Sequence, residues 1–310
     1  MPNWNSSSNS SNSNSVSPPF RLRRGNLNPS GFVCRTTGGL VGDISRIPNR
    51  ARGAGLLCLC AATVFASMQV NRGVEAYPDE VEHPESRLPR DGDEKTEWAF
   101  ARLRYFSAQR GFYSWGIDAP KSDRQFTLGV RRLTRLSARS VEEVVNLHDD
   151  RIFDWPWVYA VEAGHWELSG PEARRLREYL LRGGFLMVDD FHGTFEWTVF
   201  ERGMTKVFPD RPIVDIPNGD QIFHTLYDLS ERIQVPGIQY WSTGRIWEKD
   251  GKVPMWRAVY DDKGRIMVAI CHNQDNGDAW EWADHPDYPE KYASQAYRMG
   301  IDFLIYSMTH

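Results

Sequence analysis

The chain lacks the motifs that usually announce a chemistry. It has no G-x-G-x-x-G and no P-loop, so nothing supports nucleotide binding. H-E-x-x-H, C-x-x-C and the glycine-centred calcium loop are also missing, which removes the most diagnostic metal signatures. No G-x-S-x-G or G-x-C-x-G elbow exists to present a nucleophile. Cysteine is scarce: Cys34, Cys58, Cys60 and Cys271, of which only Cys271 falls where a folded domain is expected. One thiol cannot close an internal disulfide, so there is no disulfide framework. Cys271 stands beside His272, but neighbours on a strand point apart and cannot share a proton directly.

Strong net charge is lacking too. At −4 over 310 residues the balance is too mild to argue for a nucleic-acid partner. The charge is nevertheless uneven. Residues 1–76 carry eight arginines against Asp43 and Glu75, whereas residues 77–97 carry eight acids against Arg87, Arg90 and Lys95. Blocks of that kind mark tails and linkers.

The first nineteen residues are mostly Ser and Asn and carry no charge. Such a composition cannot offset the entropy of ordering, so residues 1–45 are expected to be a disordered tail. Residues 46–76 combine Arg46, Arg50 and Arg52 with an uncharged run from Leu56 to Val70 and small residues at Ala66 and Ala76. That pattern fits a secretory signal, with the true start of translation further downstream. A signal anchor, touching the membrane through residues 53–70 if uncleaved, and a buried helix of the domain are the other readings. Periplasmic or secreted location follows from the first, membrane attachment from the second. The acidic, proline-containing segment 77–97 reads as a solvated linker.

The folded domain is expected over 98–310, since eleven of the twelve tryptophans lie there. Its pattern alternates strand and helix. Trp98–Phe106 reads as a strand, followed by the glycine- and aromatic-rich loop GFYSWG. Phe126, Val130, Leu133 and Leu136 recur at helical spacing. WVYAVEA, Trp157–Ala163, holds a continuous apolar run, as suits a strand buried on both faces. Ser169 and Glu172 form a capping box with Pro171 in the first turn, Leu176, Tyr179 and Leu180 make a stripe, and Gly183-Gly184 ends the helix. Phe185–Val188 is then a buried strand parallel to the previous one. Trp197, Phe200, Met204 and Val207 predict another helix, and Ile213, Val214 and Ile216 a strand. WRAVYDDKGRIMVAIC predicts a late β-hairpin turning at Asp262-Lys263-Gly264. A helix from about Pro289 closes the chain, with Tyr292, Ala296, Met299 and Phe303 on its apolar face.

In an open α/β sheet, ligands bind beyond the carboxyl ends of the strands. Asp189, Asp190 and His192 occupy such a position, and because strand neighbours alternate, the two aspartates should face opposite sides. Asp and His together suit zinc, manganese or iron. The candidate ligand-binding residues are therefore Asp189, Asp190, His192, His224 and Asp275, with Asp189, His192 and His224 as metal candidates. The spacing among them assigns no metal and no cofactor. The segment HNQDNGD, His272–Asp278, reads more simply as an Asx-rich turn. Trp155, Trp157, Trp166, Trp280 and Trp282 offer a third chemistry, stacking on sugar rings.

The blocks W-A-F-A-R-L-R-Y (Trp98–Tyr105), L-S-x-x-E-x-x-x-L-R-x-Y-L-x-x-G-G-F-L-M-V-D-D (Leu168–Asp190), I-F-H-T-L-Y-D-L (Ile222–Leu229) and N-x-D-x-G-D (Asn273–Asp278) resemble a bacterial family known only as domain of unknown function 4159. The resemblance covers roughly Trp98–His310 and implies a class I glutamine-amidotransferase-like fold, a flavodoxin-like three-layer α/β sandwich with a mostly parallel sheet. It implies no reaction: no residue here matches the amidotransferase nucleophile. It also implies an association with the cell envelope. The expected function is an envelope module that binds a ligand, envelope protein or glycan at the strand ends. A metal-dependent hydrolase and a glycan-binding module are the alternatives.

Overall fold

The computed structural model describes residues 91–92, 94–107 and 114–310. The tail and the signal or anchor segment lie outside the described residues, as does most of the linker. Asp91, near the end of that linker, already touches the domain: its carboxylate accepts from Ser140 N at 3.0 Å and pairs with Arg131 at 3.0 Å.

Seven strands form one sheet, in the order β2-β1-β3-β4-β7-β6-β5. They are β1 (Ala101–Arg104), β2 (Glu143–Asn146), β3 (Trp157–Val161), β4 (Phe185–Phe191), β5 (Val214–Asp215), β6 (Met255–Tyr260) and β7 (Ile266–His272). From β2 to β7 every pairing is parallel, and β6 and β5 then run antiparallel to their neighbours. The reversal at β6 comes from a tight hairpin. Gly264 sits at φ +81°, where a side chain would be strained, and Asp261 accepts from both Lys263 N and Arg265 N at 2.8 and 2.9 Å.

Helices cover both faces. They are α1 (Lys121–Leu133), α2 (Gly170–Leu181), α3 (Gly193–Val207), α4 (Gln239–Thr243), α5 (Asn276–Glu281) and α6 (Glu290–Thr309). Strand alternation sorts the side chains between two cores. Val158, Ala160, Leu186 and Val188 join Leu176, Tyr179 and Leu180 of α2 and Phe200, Met204 and Val207 of α3. Trp157, Tyr159, Phe185 and Met187 join Phe126 and Val130 of α1 and Ala296, Met299 and Phe303 of α6. Both faces of β3 and of Phe185–Val188 in β4 are thus covered, which is why those stretches are apolar throughout.

Local sequence signals operate at several of these ends. Ser169 caps α2 and Glu172 returns the bond to the Ser169 amide at 2.8 Å, a reciprocal box worth about 1 kcal/mol. Gly183 takes φ +106° just past the helix end. Several expectations are trimmed, and the strand expected at Trp98–Phe106 spans only Ala101–Arg104. α1 stops at Leu133, which is exposed, and Leu136 lies beyond it, because Thr134 turns to extended backbone. The strand expected at Ile213–Ile216 shrinks to two paired residues.

A single indole docks α5 against the sheet. Trp280 is fully buried against Phe126, with centroids 4.4 Å apart, and Phe100 and Tyr159 complete the cage. Truncating an indole so placed costs about 3–5 kcal/mol. That anchor fixes α5, and with it the acidic residues before and within its first turn.

Candidate functional site

The carboxyl ends of β1, β3, β4 and β7 share one edge of the sheet, and β6 starts there, since Met255 pairs with His272. Acidic residues crowd this edge. Among the described residues, five non-glycines have left-handed backbones, at Asp118, Glu162, Asp190, Lys249 and Asn273. Glu162 follows β3, Asp190 is the last residue but one of β4 and Asn273 follows β7. Each such backbone costs of order 1 kcal/mol or more and persists only where the surroundings impose it, and such residues gather at functional sites.

The two adjacent aspartates separate as strand alternation requires. Asp189 is fully buried and turns toward α5. Its carboxylate accepts from Tyr159 Oη at 2.9 Å, Asn276 N at 2.8 Å, Asn276 Nδ2 at 2.8 Å and Gly277 N at 3.1 Å. It therefore satisfies the orphan amides that open α5. Burial lifts its pKa to about 6 against those four bonds. With four donors on its oxygens, Asp189 ties the start of α5 to the end of β4.

Asp190 emerges on the open side, at φ +51°, where the register between β4 and β7 slips. Its backbone amide donates to Gln274 O at 3.1 Å, and its carboxylate meets His192 Nε2 at 3.2 Å. Ligand atoms of Asp190, His192, Glu248 and Asp275 all lie within 4.8 Å of one another. They come from three segments: the end of β4, the loop before β6, and the N-cap of α5. A second set, Asp118, Asp278 and Glu281, meets the same criterion. The two sets adjoin. A Cβ at Gly237 would stand 2.3 Å from Asp275 Oδ2 and 2.8 Å from Asp278 Oδ2.

The charges at this edge do not cancel. Burial, then the neighbouring carboxylates of Glu162, Asp118 and Glu248, push Asp190 well above the usual range. Burial and then Asp190, Asp278 and Asp118 do the same to Asp275. Asp118 is raised as well, by burial and then by Asp278 and Glu281, and Glu248 is raised by burial, which outweighs the opposing pull of Lys249. His192 is held down at about 3 by burial and then by Lys249, so its imidazole is neutral at pH 7 and keeps a lone pair for a metal. Its Nδ1 is buried with no hydrogen-bond partner.

Of the residues expected from sequence, the structure brings Asp190, His192 and Asp275 together. It places Asp189 beneath them. His224 lies elsewhere: it caps a short 3₁₀ turn, with Nε2 2.8 Å from Asn218 O and Nδ1 3.3 Å from Asp228 Oδ1. The expected convergence of Asp189, His192 and His224 is thus replaced by Asp190, His192, Glu248 and Asp275. Glu248 was not legible, since it stands in a loop with no motif. HNQDNGD, expected as an Asx-rich turn, runs from the end of β7 into α5, where Asp275 is the N-cap and accepts from Asp278 N at 2.8 Å; the same cap delivers Asp275 to the cluster. Cys271 is fully buried against Met299 and its thiol is pushed up by burial, so it is inert, while His272 faces Gly193 and Arg257. Trp157, Trp166 and Trp280 are core residues and Trp155 and Trp282 are half-buried.

No helix among the described residues is long and apolar enough to cross a membrane. The class defined by these features is a mixed α/β domain with a seven-stranded, mostly parallel sheet and an acidic carboxyl edge. The chain belongs to the family described as "Domain of unknown function (DUF4159)", whose model matches residues 99–308. No curated protein matches it.

Proposed function

We propose that this domain binds a divalent cation at the carboxyl edge of its sheet, through Asp190, His192, Glu248 and Asp275. The observation that carries the reading is the meeting of those four ligand atoms within 4.8 Å, three of them on carboxylates and one on a neutral, buried imidazole. Three carboxylates and one imidazole suit manganese, iron(II) or zinc better than calcium. A cation there would remove the mutual repulsion that raises Asp190, Asp275 and Glu248. The sheet supports the same location. Its parallel part runs β2-β1-β3-β4-β7, the order of a flavodoxin-like sheet, in which ligands sit outside the carboxyl ends.

Hydrolysis is a second reading, favoured by Glu162 and His165 at the end of β3. Their carboxylate and imidazole lie 3.5 Å apart, and Glu162 is close enough to raise the pKa of Asp190. A bound cation would supply a Lewis acid for water, and Glu162 would be the group to take the proton. Delivery to the envelope by the signal in residues 46–76 completes the proposal. N-terminal mass analysis of exported protein tests that part, and an intact residue 46–76 segment on soluble protein contradicts it.

Calorimetric titration of the purified chain with Mn²⁺ or Zn²⁺ tests the cation site. One saturable site is expected, lost in Asp190→Asn and in His192→Ala. Equal binding by both variants refutes it.

A further inference from the structure

Two of the three segments that carry the proposed ligands share no strand pairing: Asp190 and His192 stand at the end of β4, and Glu248 hangs from the loop before β6. One buried side chain grips both. Glu196, in the first turn of α3, is 2% exposed. Its Oε2 accepts from the backbone amide of His192 at 2.6 Å. Its Oε1 accepts from His165 Nε2 at 2.8 Å and is paired with Lys249 Nζ, on the residue next to Glu248. Lys249 is itself held at φ +49°. The seat for this carboxylate is cut into the backbone: a Cβ at Gly164 would stand 2.5 Å from Glu196 Cβ and 3.0 Å from its Cγ. Burial opposes the charge, but His165, Lys249 and the His192 amide hold Glu196 ionised, with a pKa of about 2.

We propose that Glu196 is the positioning residue of the cation site, setting the spacing between His192 and Glu248 without touching the ion. This rests on the cation site proposed above. Partners one shell out fix ligand orientation, and their loss costs about 10–100-fold in metal affinity. The Glu248 loop has a second tether further along, where Asp250 accepts from Thr194 N at 3.0 Å and Thr194 Oγ1 at 2.6 Å. Losing the Glu196 grip therefore loosens the site while the loop stays attached.

The test uses the full chain, Mn²⁺ calorimetry and the visible spectrum of the Co²⁺-loaded protein. Glu196→Gln is expected to weaken Mn²⁺ by about tenfold or more and to alter the Co²⁺ spectrum, which reports ligand geometry. Lys249→Met, at a partly exposed position that does not threaten folding, is expected to give a smaller loss and a spectral change in the same direction. Wild-type affinity and spectrum in Lys249→Met, or in a folded Glu196→Gln, overturn the positioning role and leave the site standing. No saturable Mn²⁺ binding by the wild type removes the site itself and the role with it.

Discussion

The two edges of this sheet handle negative charge in opposite ways. At the amino edge three acids each have an arginine. Asp261 pairs with Arg265 at 3.3 Å, Asp262 with Arg211 at 2.8 Å and Asp210 with Arg177 at 2.6 Å. Asp210 is lowered to about 2 by the Arg177 bond, and Asp261 and Asp262 are lowered also. At the carboxyl edge the same residue types are raised, because they are buried and face one another. The amino edge is electrostatically finished. The carboxyl edge holds Asp190, Glu248 and Asp275 around a space that a cation would complete. The difference separates acids kept for the fold from acids kept at its expense.

Substitutions sharpen that contrast, the largest at Asp189. Asp189→Ala strands the four donors that now meet one carboxylate and should cost about 3 kcal/mol or more in urea denaturation. Its neighbour should respond in the other direction. Asp190→Asn removes a buried like charge, so without divalent ions it should match or exceed the wild type in stability while losing the cation. A destabilisation at Asp190 as large as that at Asp189 would erase the distinction between them.

A smaller effect is expected from pH. Asp190, Glu248 and Asp275 have folded pKa values above their unfolded ones, so the folded state binds more protons. Stability is then highest below the ordinary carboxylate range near 4 and falls as pH rises through the raised values. The metal-free protein should lose stability from pH 5 to pH 8, and saturating Mn²⁺ should flatten the slope. Asp210 at the amino edge has the opposite sign, its contribution fading only as pH drops toward about 2. A denaturation midpoint that climbs from pH 5 to pH 8 without metal contradicts this assignment.

Gly237 provides a steric version of the same test. A methyl there would press on Asp275 and Asp278, so Gly237→Ala should abolish cation binding with a modest loss of stability. At the small end, Asp262→Ala breaks an exposed pair and should leave the denaturation midpoint unchanged.

The fold was largely legible because its signals are local. The Ser169–Glu172 box, the Gly183 stop, the Gly264 turn and the continuous apolar strands each declare themselves within a few residues. The candidate site was half legible. Asp190 and His192 follow the apolar run Phe185–Val188, and the Asx-rich segment His272–Asp278 marks Asp275. Glu248 had no such marker, because a loop residue acquires its neighbours only when Lys249 and Asp250 dock on α3. The roles of Asp189 and Asp190 were indistinct for a related reason. Alternation predicts that they diverge, but which one meets the amides of α5 depends on packing that Trp280 fixes from far along the chain. His224 looked as promising as His192 because residue type alone does not show where a chain returns.

The most direct test is crystallographic. Crystals of the protein soaked in Mn²⁺ should show one anomalous peak roughly 2 Å from a carboxylate oxygen of Asp190, of Glu248 and of Asp275 and from an imidazole nitrogen of His192. A peak on Asp189 or His224, or an ordered carboxyl edge with no peak at saturating Mn²⁺, would contradict the account.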